Sequence, residues 1–145
     1  MSIQRREFIK QSCTLCASLV GISIVAGSLE GCAPLNYYKP VIENDTFTVP
    51  KSSFIEGSKL VIIKESNLEY NIALVKINDI QFRAFELKCT HQDNALIATE
   101  SGFHCSLHGS SFDMTGKVKT SPATANLKEF SVKNEGDNLL INLKA

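Results

Sequence analysis

Two short segments of the chain each carry one cysteine and one histidine: Cys89-Thr90-His91 and Cys105-Ser106-Leu107-His108-Gly109-Ser110. Thiolate and imidazole are soft-to-borderline metal donors, and short loops can turn both side chains inward. Cys89, His91, Cys105 and His108 therefore make a four-donor set for a metal centre. Such a set suits zinc as well as an iron-sulfur cluster. Zinc fingers usually keep their two cysteines together and their two histidines together, on separate elements. Here each segment is mixed.

A Cys-x-His followed by a Cys-x-x-His running into Gly-Ser resembles the Rieske family, whose two motifs form a pair of loops around a 2Fe-2S cluster. The resemblance continues through Phe112-Asp113, Gly116-Lys117-Val118 and Ser121-Pro122-Ala123, and spans roughly Asn71 to Leu143. It implies one 2Fe-2S cluster per chain, with Cys89 and Cys105 on an inner iron and His91 and His108 on an outer iron near the surface. It also implies that the Ser110 hydroxyl bonds a bridging sulfide. Replacing two thiolates by neutral imidazoles makes the cluster less negative, so an electron enters more readily than in an all-cysteine cluster. Family members in quinol-oxidising cytochrome bc complexes carry an extra cysteine in each motif and bridge the two by a disulfide. Those positions hold Asn94 and Leu107 here, and Phe112 stands where such members have tyrosine. The chain thus resembles the disulfide-free branch, which includes Rieske ferredoxins.

His104 is the only other histidine. Neighbours in an extended segment point to opposite faces, so His104 is expected to face away from a centre that Cys105 faces. A catalytic mononuclear iron, as in oxygenase subunits of this family, needs two histidines and a carboxylate. The chain has none to spare, so no catalytic residues of its own are expected.

The elements that position the donors read as strands. Phe47–Val49 is a short strand and Leu60–Ile63 a buried apolar run. Ile72–Ile77 and Ile80–Leu87 are two strands joined at Asn78-Asp79, and Glu129–Lys133 and Leu139–Leu143 flank a turn at Glu135-Gly136-Asp137. Past the first 32 residues no stretch has a convincing helical period. The expected fold is all-β, a Rieske-type antiparallel β-sandwich with two cluster-binding loops.

Residues 1–32 read as an address segment, 33–45 as a linker and 46–145 as the Rieske domain. Arg5-Arg6-Glu7-Phe8-Ile9-Lys10 resembles a twin-arginine export signal, followed by a charge-free stretch from Ser12 to Leu29. Export of a folded chain suits a protein loaded with iron and sulfide in the cytoplasm. Leu29-Glu30-Gly31-Cys32 resembles a lipobox, with Glu30 departing from its pattern, so Cys32 is expected to carry lipid. The alternative is an uncleaved anchor helix, which the 18 residues from Ser12 to Leu29 make only marginally: about 27 Å against a hydrocarbon core of about 30 Å. Cys13 and Cys16 fall within the segment expected to be removed. That leaves Cys89 and Cys105 with no disulfide to form unless a donor is lost.

Fifteen basic residues balance fifteen acidic ones, and charge therefore points to no nucleic-acid partner. The expected protein is a bacterial cell-envelope component, membrane-tethered and facing the periplasm. It would pass single electrons within a quinol-oxidising respiratory complex or a periplasmic oxidoreductase, with a cytochrome, an oxidoreductase subunit or quinol as its redox partner. The alternatives are a Rieske ferredoxin serving an oxygenase and a structural zinc lipoprotein.

Overall fold

The computed structural model describes residues 35–144. The twin-arginine-like segment, Cys13, Cys16 and the lipobox ending in Cys32 lie outside them. In chain order the strands are β1 (Asn36–Tyr38), β2 (Thr46–Pro50), β3 (Leu60–Ile63), β4 (Ile72–Lys76), β5 (Phe82–Glu86), β6 (Ile97–Thr99), β7 (Gly102–His104), β8 (Ser111–Phe112), β9 (Val118–Thr120), β10 (Glu129–Glu135) and β11 (Asn138–Asn142). One seven-stranded sheet runs β1-β3-β4-β5-β10-β11-β2, and a four-stranded sheet runs β6-β7-β8-β9.

The wall formed by β3, β4 and β5 explains the architecture. The runs Leu60-Val61-Ile62-Ile63 and Ile72-Ala73-Leu74-Val75 are buried at every position, because both faces of the wall are covered. Side chains alternate across a strand. Leu60, Ile62, Ala73, Val75 and Phe85 therefore enter one core, and Val61, Ile63, Ile72, Leu74 and Ala84 the other. The first core is shared with the small sheet and contains Cys89, Cys105, Phe103 and Phe112. The second closes against Phe47, Val49, Phe130, Leu139 and Ile141 of the curled far end of the large sheet. At about 1.5–3 kcal/mol for each large apolar side chain fully buried, the two cores supply the main drive to fold.

The sandwich is not wholly antiparallel as expected: β1 pairs parallel to β3, in register Asn36 with Val61 and Tyr38 with Ile63. Residues 36–38 were expected in the linker. They join the sheet because Leu35 and Tyr38 pack on the two cores while Tyr37 faces out. The β4–β5 connection also differs. Instead of a two-residue turn at Asn78-Asp79, the Asn78 side-chain oxygen accepts from the N–H groups of both Ile80 and Gln81, and the Ile77 N–H bonds to the Gln81 carbonyl. This longer turn leaves Ile80 81% exposed and starts β5 at Phe82. The β10–β11 hairpin turns at Gly136-Asp137, between the paired Glu135 and Asn138, close to expectation.

Between β8 and β9, residues 113–117 form a tight turn pressed on the wall. Gly116 has φ +77°, and a Cβ there would stand 2.7 Å from the Phe85 ring. Phe85 cannot retreat, being buried and covered by the Arg83 guanidinium, which bonds Glu129 through two nitrogens and the Thr115 carbonyl through a third. Gly116→Ala is therefore expected to destabilise the domain by about 2 kcal/mol or more, from the left-handed backbone and the clash together. The urea unfolding midpoint measures it.

Candidate metal centre

Three loops meet at one end of the first core. The first leaves β5: the Leu87 N–H bonds the Asn71 carbonyl, the Leu96 N–H bonds the Leu87 carbonyl, and the Cys89 N–H closes on the Asn94 carbonyl at 2.8 Å. The second links β7 to β8, where the Cys105 N–H bonds the Ser110 carbonyl at 2.8 Å and the Gly109 N–H the Cys105 carbonyl at 3.1 Å. The third, residues 121–127, follows β9 and carries a cis Ser121-Pro122 bond. It ties down the other two. The Ala123 N–H donates to the buried Ser110 hydroxyl at 3.0 Å, and the Thr90 hydroxyl donates to the Ala125 carbonyl at 2.6 Å.

This framework brings the four candidate donors together as two pairs. Cys89 and Cys105 are 1% and 2% exposed and lie in the same core. His91 and His108 are exposed, their rings edge to face with centroids 5.0 Å apart. Sulfur lies inside and nitrogen outside. Among the described residues, no three of His, Cys, Asp and Glu are grouped to hold a single ion. Two soft donors in one pair and two imidazoles in another fit a centre of two bridged metal atoms, each held by one pair.

The Cys105 thiol sits below its ordinary pKa. Burial pushes it up, but donors aimed at the sulfur, the Asn94 side-chain amide first among them, outweigh the burial. The Asn94 Nδ2 lies 3.4 Å from the Cys105 Sγ. The sequence marked Asn94 only as a position where some relatives have cysteine. Its role as a donor was invisible there, although an amide with two N–H groups was the signal available.

Ser110 is fully buried, and because its oxygen accepts from Ala123 its own proton remains free to donate. Phe112 is buried in the same core as the two cysteines. His104 is exposed on β7 while Phe103 and Cys105 on either side are buried, as strand alternation predicts. Asp113 buttresses the site from below. Its Oδ1 accepts from the Thr115 N–H and hydroxyl, both at 2.7 Å, and from the Lys117 N–H at 3.1 Å. Desolvation raises the pKa of this carboxyl, but those bonds hold it below the usual carboxylate range.

Residues 42–131 match the family model described as "Rieske [2Fe-2S] domain". The ferredoxin component of biphenyl 2,3-dioxygenase from Rhodococcus jostii strain RHA1 is 38% identical over 68 residues, which are 44% of this chain and 64% of that protein. The chain thus spans somewhat under two thirds of that relative's length. Among solved structures, a complex of reduced oxygenase and oxidized ferredoxin in carbazole 1,9a-dioxygenase contains a chain that is similar at 23% identity and TM-score 0.52, over 70% of this chain and 95% of that one. A plasma-membrane Rieske protein of the cyanobacterium Synechocystis PCC 6803 is similar at 27% identity and TM-score 0.49, over 56% of this chain and 85% of that one.

The Asp113 network sets a pH test. A carboxyl whose folded-state pKa is depressed stabilises the fold above its unfolded value, and that stabilisation is lost as pH falls through the folded value. Asp113→Asn should be less stable than wild type at neutral pH. The difference should shrink as pH drops below about 4, the ordinary aspartate value, and vanish once Asp113 is protonated in both states. Unfolding midpoints measured from pH 7 down to pH 3 test this, and a difference that does not change with pH would refute it.

Proposed function

The chain belongs to the Rieske 2Fe-2S domain family, and from that premise we propose that it is an exported, membrane-tethered electron carrier in which Cys89 and Cys105 hold the inner iron and His91 and His108 the outer one. The coarser part of this needs no proposal: it is a Rieske electron-transfer domain with a 2Fe-2S cluster, which sets aside the zinc lipoprotein alternative. When bound, such a cluster supplies reversible uptake of one electron. The protein's own residues do the rest. The buried Cys89 and Cys105 and the apolar wall around them keep water from the inner side, and the Ser110 hydroxyl, its oxygen already accepting from Ala123, would have its proton free to donate toward the bound cluster. His91 and His108 hold the outer side at the surface, where a partner can approach closely. Leu107, 56% exposed beside His108, gives that surface an apolar contact suited to brief docking.

The single observation that supports the ligand assignment is the arrangement of the two loops, with both cysteines buried in one core and both imidazoles exposed and edge to face, on loops tied by Ser110 and Thr90. Export and tethering are supported by the sequence alone, through Arg5-Arg6 and Cys32. They favour a redox partner on the periplasmic side: a quinol-oxidising complex or an oxidoreductase with its own catalytic subunit. A second reading, a ferredoxin for an oxygenase, has the 38% identity to the biphenyl dioxygenase ferredoxin component in its favour. Cell fractionation separates the two, since an oxygenase ferredoxin would remain in the cytosol at full length.

The cofactor-loaded protein is expected to hold about two irons and two acid-labile sulfides per chain and to give a Rieske-type electron paramagnetic resonance signal when reduced. Alanine at Cys89, His91, Cys105 or His108 should each abolish the cluster and lower stability, because cofactor binding contributes to the folding free energy. A variant that keeps both irons and the signal would remove its residue from the ligand set.

Lysine at Arg5 and Arg6 should trap the protein inside the cell, and Cys32→Ala should block lipid labelling and either release the domain or leave its precursor uncleaved. Unchanged processing, labelling and membrane attachment in Cys32→Ala would instead favour the anchor helix.

A further inference from the structure

Asn94 occupies a position that its backbone and side chain fix jointly. Its carbonyl accepts from the Cys89 N–H, and its own N–H bonds the Gln92 carbonyl at 2.7 Å, so the backbone of the first loop is closed around it. Its side-chain Nδ2 has two protons to give. One acceptor is the Ala95 carbonyl at 3.2 Å, which sets the plane of the amide. The other is the Cys105 Sγ at 3.4 Å, eleven residues away on the second loop. This hydrogen bond ties the first donor loop directly to a candidate ligand on the second. It ends on a sulfur that is 2% exposed, where no water competes for the acceptor.

We propose that Asn94 is a positioning residue that tunes the centre: its amide fixes Cys105 against the first loop and raises the reduction potential by donating to a ligand sulfur. This rests on the reading of Cys105 as a cluster ligand. The sign follows from charge. Reduction places additional negative charge on the cluster and its sulfurs, so a donor stabilises the reduced state more than the oxidised one. Removing the donor should make the electron easier to lose. The effect is a local one, because Asn94 holds its geometry through bonds to its own loop and not through the core.

The experiment is a redox titration of the cofactor-loaded full chain followed by electron paramagnetic resonance, for wild type, Asn94→Ala and Asn94→Asp. Asn94→Ala should retain both irons and lower the reduced-to-oxidised ratio at the wild-type midpoint about five-fold, which at 59 mV per tenfold is about 40 mV. Asn94→Asp keeps the shape, loses the donor and adds a negative charge, so its midpoint should fall further. In wild type labelled with nitrogen-15 in the asparagine side chains, pulsed resonance of the reduced cluster should detect a nitrogen-15 coupling that disappears in Asn94→Asp. Ratios within about 1.5-fold of wild type in variants that keep the cluster would overturn the proposal. So would the absence of the nitrogen coupling in wild type, which needs no variant to fold. Retention of the cluster by Cys105→Ala would instead overturn the ligand reading beneath it.

Discussion

Everything at the centre depends on one constraint: the two cysteine side chains belong to the hydrophobic core, and the two histidines paired with them in sequence do not. Cys89 and Cys105 share a cluster with Phe85, Phe103 and Phe112, while His91 and His108 stay in water only two and three residues further along. A chain can cross from core to solvent that quickly only in a loop whose backbone hydrogen bonds are met within the loop or by its neighbours. The closures at Cys89–Asn94 and Cys105–Ser110 meet part of that demand. The bonds from Ala123 to Ser110 and from Thr90 to Ala125 meet more of it, so the third loop is as necessary to the site as the two that carry donors.

The candidate donors could be singled out in the sequence because metal chemistry restricts residue type and spacing together, and a mixed Cys-x-His with Cys-x-x-His has few other uses. The wall was legible too. Leu60–Ile63 matched β3 at both ends, since a run of β-branched and large apolar residues buried on both faces leaves little choice of element. The four strands of the small sheet escaped notice. They are two or three residues long, and their positions are set by the donor loops and by contacts with the wall, not by any local alternation. β1 was hidden for a related reason: a three-residue strand, Asn36-Tyr37-Tyr38, has no period to detect, and only its partner β3 makes it a strand. The Asn78 turn was misjudged because a two-residue hairpin and a longer one capped by an asparagine side chain share the same composition.

The family resemblance and the start of the sequence pull the function in different directions. The donor loops are those of the branch without an inter-loop disulfide, and the identity to an oxygenase ferredoxin component follows that branch. The residues around Arg5, Arg6 and Cys32 resemble an export and anchoring signal. No physical conflict exists between them. A domain whose loops are held by buried hydrogen bonds needs no oxidative cross-link, and transport of a folded, already loaded chain requires only that the loops keep their grip in transit.

The doubly covered wall also divides the molecule by how its parts open. Amides in the middle of β3 and β4 have packed side chains on both faces and sheet partners on both edges, so their exchange with solvent hydrogen requires the whole domain to unfold. The histidine-bearing ends of the donor loops lie outside both cores and are held by fewer bonds, among them the exposed one from Thr90 to Ala125, so they open more readily than the wall. The surface of the centre is therefore the part that fluctuates, while its sulfur side shares the rigidity of the wall.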